Sequence, residues 1–333
     1  MRRKTSRKKI ILWRISILII AFNISLVIFL SFKNGWDGVN RFTIVLQNID
    51  KRNKATDYGL AVISVEPKMH QGVYLYLKPN FLMEAPYGYK TYPLYSIYKL
   101  GELDTLRGGG KLLKKAVEST IGIKTDRYLL FKNKEAIKLP DTREKLSEFK
   151  RDNFRLITGL PFIKTMITAG IVTDMSFWER LRFFWAVRNL RLDQMMYLDP
   201  TESAAGRKEE LPDRTQIYTL DWELYDNFIL NDFQDIRIRE ENFTIEVQNA
   251  SGGEKIARQF ARILNHMGAH VVFTTTAIET NKNYCQIKFY NAKARQSIIA
   301  QILKKDYNCR EDNQNINQSA ADIKVVIGEG FLK

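Results

Sequence analysis

Only two of the 333 residues are cysteine and three are histidine, a scarcity that removes several chemistries at once. His70, His266 and His270 are scattered and form no cluster with Cys285 and Cys309 at zinc-like spacing, so no metal centre is expected. No serine or cysteine stands in a Gly-x-Ser-x-Gly or comparable setting, and His70 has no evident triad partner, which disfavours hydrolase chemistry. The glycine run Gly108 to Gly110 with Lys111 is followed by Leu112 where a phosphate loop needs Ser or Thr, and the earlier glycine is missing. There is no internal repeat. With 45% apolar residues, the chain has enough material for real cores, and its length suggests two folded units besides any anchor.

Charge is absent over one stretch, Ile15 to Phe32, and Ile10 to Leu12 extend its apolar character past Arg14. About twenty such residues are enough to cross a bilayer. The first fourteen residues hold seven of the basic residues and no acid, so the rest of the chain carries +8 of the net +15. Basic residues ahead of an apolar span keep the N-terminus in the cytoplasm and place the chain beyond Lys33 outside. The expectation is a basic head at 1–14, a signal anchor at 10–32 and a single-pass type II topology with extracytoplasmic domains. A cleaved signal peptide fits less well, because Ser31 to Gly35 offers no small-x-small cleavage site. A nucleic-acid-binding arm is disfavoured by the adjoining apolar span, and no nucleic-acid partner is expected.

After the anchor, apolar alternation predicts strands at Phe42 to Leu46, Leu60 to Val65 and Val73 to Leu77, the last two joined through Pro67 to Gly72. Pro86 to Tyr98 reads as an aromatic loop. Gly108 to Gly110 open a helix that Gly122 closes, and Arg127 to Phe131 return as a strand. Glu135 to Leu156 is highly charged, and Leu160 to Val172 reads as a buried helix interrupted near Pro161. Ser176 with Glu179 is a capping-box pattern starting a helix to Leu190. Thr201 to Asp213 reads as a surface loop, Leu220 to Phe233 as a short amphipathic helix and Asp235 to Glu241 as a charged linker.

The last ninety residues are the most informative. Phe243, Ile245 and Val247 alternate with polar residues, whereas Ile256, Phe260, Ile263, Leu264 and Met267 share one helical face. The period changes across Asn249 to Gly253, where Ser251 and Glu254 form a second capping-box pattern, and Gly268 stands where a helix end favours positive φ. Cys285 lies in the strand-like run Tyr284 to Tyr290, and Cys309 follows the helix-like run Ala292 to Lys305, which must travel back along that strand. A disulfide is therefore geometrically possible, and a pair of free thiols is the alternative.

This region, closed by Ala321 to Phe331, resembles the C-terminal domain of the LytR-CpsA-Psr cell-envelope proteins. The middle region resembles the same family less closely. Gly109 to Glu118 followed by Gly122 to Tyr128 is similar to its Gly-Gly helix and following strand, and Thr173 to Ser176 to the start of the helix closing its catalytic core. The resemblance implies an α/β (α+β) protein, with a mixed-sheet core over 40–234 and a small βαβ-type domain over 242–333. Family members transfer glycopolymers from polyprenyl-pyrophosphate carriers to peptidoglycan, with arginines and aspartates holding the pyrophosphate and usually a magnesium ion. Here the place matching the family's Pro-Arg-Asp reads Pro79-Asn80-Phe81, without the guanidinium forks and carboxylates that such chemistry needs. The favoured reading is a non-catalytic envelope module, without cofactor, that binds wall glycopolymer or an envelope protein. The alternative is a divergent phosphotransferase using Asp57, Lys90 and Arg107, with magnesium. Lys99 is a further basic candidate for phosphate.

Three other places could bind ligands. Asn249, Ser251, Gly252 and Gly253 precede a helix N-terminus, an intrinsic anion site, although Glu254 would cap the same amides. Arg180, Arg188 and Arg191 run along a helix beside Trp178 and Trp185, either as a solvated face or as a surface for lipid headgroups or an anionic polymer. The tyrosines from Tyr87 to Tyr98 could stack on sugars or simply pack.

Overall fold

The computed structural model describes residues 14, 35–49, 59–132, 137–155, 158–167, 170–312 and 319–332. The expected anchor at 10–32 lies outside them, apart from residue 14, and so does Asp57. Among the described residues no helix is long and apolar enough to cross a membrane.

Strands β1 (Phe42–Asn48), β2 (Leu60–Glu66) and β3 (Gln71–Leu77) form an antiparallel meander. After the small hairpin of β4 (Leu82–Glu84) and β5 (Thr91–Pro93) come helices α1 (Leu94–Leu103) and α2 (Gly109–Ile121). Strand β6 (Arg127–Phe131) then pairs parallel to β1. Helices α3 (Arg143–Phe154) and α4 (Leu160–Ile167), strand β7 (Ile171–Thr173), helix α5 (Phe177–Asn189) and strand β8 (Met195–Leu198) complete a mixed sheet of order β7-β6-β1-β2-β3-β8. Every residue of β1 and β2 is buried, because both faces of the sheet are covered. Val45, Val62 and Leu75 pack against α1 and α2 through Ile97, Leu112 and Leu113. On the other face, Ile44, Leu46 and Ile63 belong to a core with Phe149, Phe154 and Phe162 of α3 and α4 and Phe183 of α5.

Local signals set several boundaries. Gly108 and Gly122 flank α2 at φ 78° and 71°, a conformation that costs glycine little. Ser176 and Glu179 close the expected capping box. Glu179 is buried, and it also accepts the Trp36 amide at 3.2 Å and pairs with Arg127 at 3.0 Å. The cap of α5 thereby ties the segment at 35–41 to the core.

The hairpin of β9 (Gly206–Glu210) and β10 (Gln216–Leu220) leads into α6 (Trp222–Ile229) and α7 (Ile236–Glu241). The C-terminal part then follows as β11 (Thr244–Ala250), α8 (Ile256–His266), β12 (His270–Thr276), β13 (Cys285–Phe289), α9 (Ile298–Lys305), β14 (Arg310–Glu311) and β15 (Ile323–Gly328). Its sheet order is β12-β11-β15-β13-β14. Ile245, Val247, Ile287 and Val325 share one core with Phe260 of α8 and Leu303 of α9, so both helices cover the same face. The other face is polar, with Lys324 paired to Glu246 at 2.9 Å.

Several expectations change. Leu160 to Val172 is not one helix: α4 holds Pro161 in its first turn, where proline needs no amide partner, and Ile171–Thr173 pairs with β6. Thr201 to Asp213 contains β9, an exposed polar strand without the apolar alternation that would reveal it. The aromatic loop is shorter than expected, since Leu94, Ile97 and Gly101 bury one side of α1. Asp235 to Glu241 is a short helix capped by Asp235, which accepts the Arg237 amide at 3.0 Å while Ile238 is buried. The run from Ala292 to Lys305 is broken at Ser297, whose side chain caps α9.

The two parts are joined by specific contacts. Arg262 of α8 grips Asp226 of α6 through two nitrogens, at 2.8 and 2.7 Å. His266 is buried, with Nδ1 2.9 Å from the Gly122 carbonyl. Lys124 bridges Asp126 and Asp306.

Candidate functional site

A concave surface of one charge sign lies between α3 and α5. A groove of about 750 Å³ is lined by Lys150 and Arg151 of α3, Arg155 just beyond it and Arg188 of α5, and among the described residues no carboxylate lines it. Ser147, Thr158 and Asn189 add neutral hydrogen-bonding groups, and Phe154 and Leu192 an apolar floor. By contrast, the cleft of about 640 Å³ between the two parts of the chain sets five basic residues against five carboxylates and has no net sign.

The helices place these cations for simple reasons. Thr142 caps α3 by accepting the Lys145 amide, and Leu146, Phe149 and Phe154 bury one side of the helix. Phe154 stacks on Phe184 of α5 with centroids 5.5 Å apart, which brings the two basic flanks together. Lys150 donates to the Arg188 carbonyl at 3.3 Å, and burial, then the Arg188 charge, pushes its pKa below the ordinary lysine value. The Arg188 guanidinium lies 4.9 Å from the Trp185 ring centroid, held on an aromatic face. Arg151 is paired with the exposed Asp152 at 3.1 Å. Crowded cations are stabilised by an anion, and guanidinium forks match phosphate or carboxylate geometry.

Of the three arginines expected on this helix, only Arg188 lines the groove. Arg180 turns to the Ser176 and Met166 carbonyls, and Arg191 is exposed and paired with Asp193 at 3.1 Å. Lys150, Arg151 and Arg155 were hidden in a stretch notable only for high charge. Their signal is the helical spacing of Leu146, Phe149 and Phe154, which turns them to one side.

The Asn249 to Gly253 turn is folded on itself. Asn249 donates to the Gly253 carbonyl at 2.6 Å and accepts the Ser251 hydroxyl at 2.7 Å, while the Ser251 oxygen accepts the Gly253 amide at 3.1 Å. Gly252 adopts φ 75°. The capping box expected from Ser251 and Glu254 is not formed, because α8 starts only at Ile256 behind Lys255 in the left-handed region. Ser251 is used by the turn itself, and the helix has no side-chain cap.

Lys90 and Arg107 line neither of the two concavities above, and Asp57 lies outside the described residues. Lys90 is exposed, whereas Arg107 pairs with Asp104 at 2.7 Å and lies over the Tyr87 ring at 4.1 Å. Phe81 is fully buried, and Asn80 uses its carbonyl to accept the Tyr218 amide at 3.2 Å. The acid beside Arg107 is already paired, and among the described residues, which exclude Asp57, no group of three or more His, Cys, Asp or Glu could hold a metal. Cys285 and Cys309 are joined by a disulfide, with Cα atoms 4.4 Å apart, linking the start of β13 to the approach to β14.

Residues 242–331 match the family model described as "LytR cell envelope-related transcriptional attenuator". No curated protein matches the chain. Among solved structures, a transcriptional regulator from Enterococcus faecalis is 13% identical at a TM-score of 0.43, covering 56% of this chain and 84% of its own. TagV of B. subtilis is 12% identical at a TM-score of 0.42, covering 56% and 94%. TagT bound to LIIa-WTA is 12% identical at a TM-score of 0.40, covering 58% and 89%. Likenesses this distant carry no argument about activity. The family match, on the strand, turn, helix and strand of β11, α8 and β12 and the closing strand β15, identifies residues 242–331 as a LytR C-terminal-type domain of the cell-envelope-related family.

Proposed function

We propose that this chain is a membrane-anchored, extracytoplasmic envelope protein without transferase activity, and that its α3–α5 groove holds an anionic wall glycopolymer. The observation that carries the reading is that the described residues lining the groove include four cations and no acid, with Arg151 paired to Asp152 outside that lining. The C-terminal domain's envelope-related family supports the location, and the charge-free stretch after a basic head supports the anchor. The groove lies on the side of the core sheet opposite α1 and α2, the side on which Arg107 is already paired. A polymer carrying regularly spaced phosphates would exchange its counterions for these side chains, so binding weakens as salt rises.

The test uses the full chain in detergent with poly(glycerol phosphate) and, as a neutral control, dextran. The phosphate polymer is expected to bind and dextran not to. The double substitution Lys150→Ala with Arg188→Ala should weaken binding about tenfold or more, the size of losing a charge-assisted hydrogen bond. Equal binding by the double variant, or binding only to vesicles of anionic lipid, overturns the reading.

A further inference from the structure

Strand β12 ends the C-terminal sheet. β11 occupies one of its edges, and no other described strand pairs with the second. A free edge presents unpaired N–H and C=O groups to any other strand, and folded proteins usually blunt it with charge or proline. The segment His270–Thr276 has neither Lys, Arg, Asp, Glu nor Pro, although the chain carries a net charge of +15. None of its residues is fully buried, and Phe273 is 49% exposed. The ladder with β11 shifts once, at Val272, which leaves Phe273 to Thr276 regular.

A groove of about 270 Å³ borders this edge, formed by Arg258, Arg262 and Asn265 of α8 and by the strand from Val271 to Thr274. Its two arginines are matched by acids of α6, Arg262 with Asp226 at 2.7 Å and Arg258 with the exposed Glu223 at 4.0 Å. With both arginines paired inside the chain, this border presents no unpaired like charge against a second copy of itself.

We propose that two copies of this chain pair through β12, their strands antiparallel about a two-fold axis at Thr274. A two-fold contact is self-complementary, so each copy supplies the strand that the other lacks. With the axis normal to the sheet, opposed residues must point to the same face. Centring on Thr274 sets it against its own copy and sets Phe273 against Thr275, and pairs of these types stabilise antiparallel ladders. No like charges meet across this ladder. The basic groove between α3 and α5, by contrast, would meet its own charge. This inference is independent of the glycopolymer reading.

The native cysteines are bonded to each other and the chain has no others, so Thr274→Cys adds a single free thiol. Opposed positions in an antiparallel ladder have Cβ atoms about 4.5–5.5 Å apart, close enough to join with a small adjustment. Mild oxidation of the full-length variant in detergent should give a covalent dimer on a non-reducing gel. Leu106→Cys, at a position 85% exposed on the core, should stay monomeric. Thr274→Lys, which sets two lysines against each other, should raise the dimer dissociation constant in sedimentation about tenfold while the variant keeps the native circular-dichroism spectrum. The proposal is overturned if the native chain sediments as a monomer at tens of micromolar, if Thr274→Cys does not cross-link, or if Thr274→Lys self-associates like the native chain. Association through the membrane segments alone would give a dimer without the Thr274→Cys cross-link, and that result overturns it too.

Discussion

The two large sheets of this protein bury themselves differently. The core sheet has helices on both faces, and all seven residues of β2 are inside. The C-terminal sheet has helices on one face, so β11 alternates between buried and half-buried positions and β12 is never fully covered. A strand covered on both faces loses its period-2 signature and reads as a continuous apolar run, while a strand covered on one face keeps it. The difference also distributes stability. The core rests on two apolar clusters, and the smaller domain combines one cluster with a disulfide and an ionic dock.

The sharpest way to break this contrast is to hollow out one layer of the core. Phe183 is fully buried in the cluster that also holds Phe149, Phe154 and Phe162, with its ring 6.4 Å from that of Phe42 in β1. Phe183→Ala should cost about 3–5 kcal/mol by leaving a cavity, read as a lower denaturant midpoint for the core. The spectroscopic signal of the C-terminal domain should shift far less. An equal loss in both parts would show that the chain unfolds as one unit.

The disulfide is the smaller domain's counterpart to that second layer. Cys285 and Cys309 are 24 residues apart, and replacing both by serine should cost about 3.5 kcal/mol, the loop-closure value for a ring of this size. The loss should fall on the C-terminal domain, with amide exchange rising in β13 and β14 before it rises in β1 or β2. Unchanged exchange there would make the bond incidental to stability.

The smallest expected effect lies in the joint between the parts. His266 has the Gly122 carbonyl on one side and Asp226 at 3.5 Å on the other. Burial is the largest influence and lowers its pKa below the ordinary value, the nearby Arg262 charge adds to this, and the two acceptors oppose it. Asp226 is already gripped by Arg262, which limits what it offers a second cation. A histidine with a lowered folded pKa takes up fewer protons folded than unfolded. Its contribution is therefore fully present above the unfolded value of about 6.5 and falls as pH drops below it. Melting curves from pH 8 to pH 5 should show this decline, and His266→Gln should flatten it. A decline of the same slope in the variant would assign it to other groups.

Much of the architecture was legible where neighbours in sequence decide it. The strand, turn, helix and strand at the start of the C-terminal domain follow from apolar spacing, and Gly268 takes φ 97° after α8. The same rule failed at Ser251. Its spacing to Glu254 matches a capping box, yet Asn249 holds the hydroxyl inside the turn and the helix begins later. Two local arrangements competed for one oxygen, and the spacing fits both. Strand β9 was missed because Gly206 to Glu210 is polar throughout and pairs only with β10.

The sequence by itself determined the periods, the caps at Ser176 and Gly122 and the family of the last ninety residues, since each depends on groups within a turn or two of one another. Only the tertiary structure decided that Lys150 would lie against Arg188, that Cys285 would bond to Cys309 and that Arg107 would lie over the Tyr87 ring. The physical reason is that charges and thiols attract or react over a few ångströms, whereas which distant segments come that close is fixed by the packing of apolar faces, such as Phe154 on Phe184.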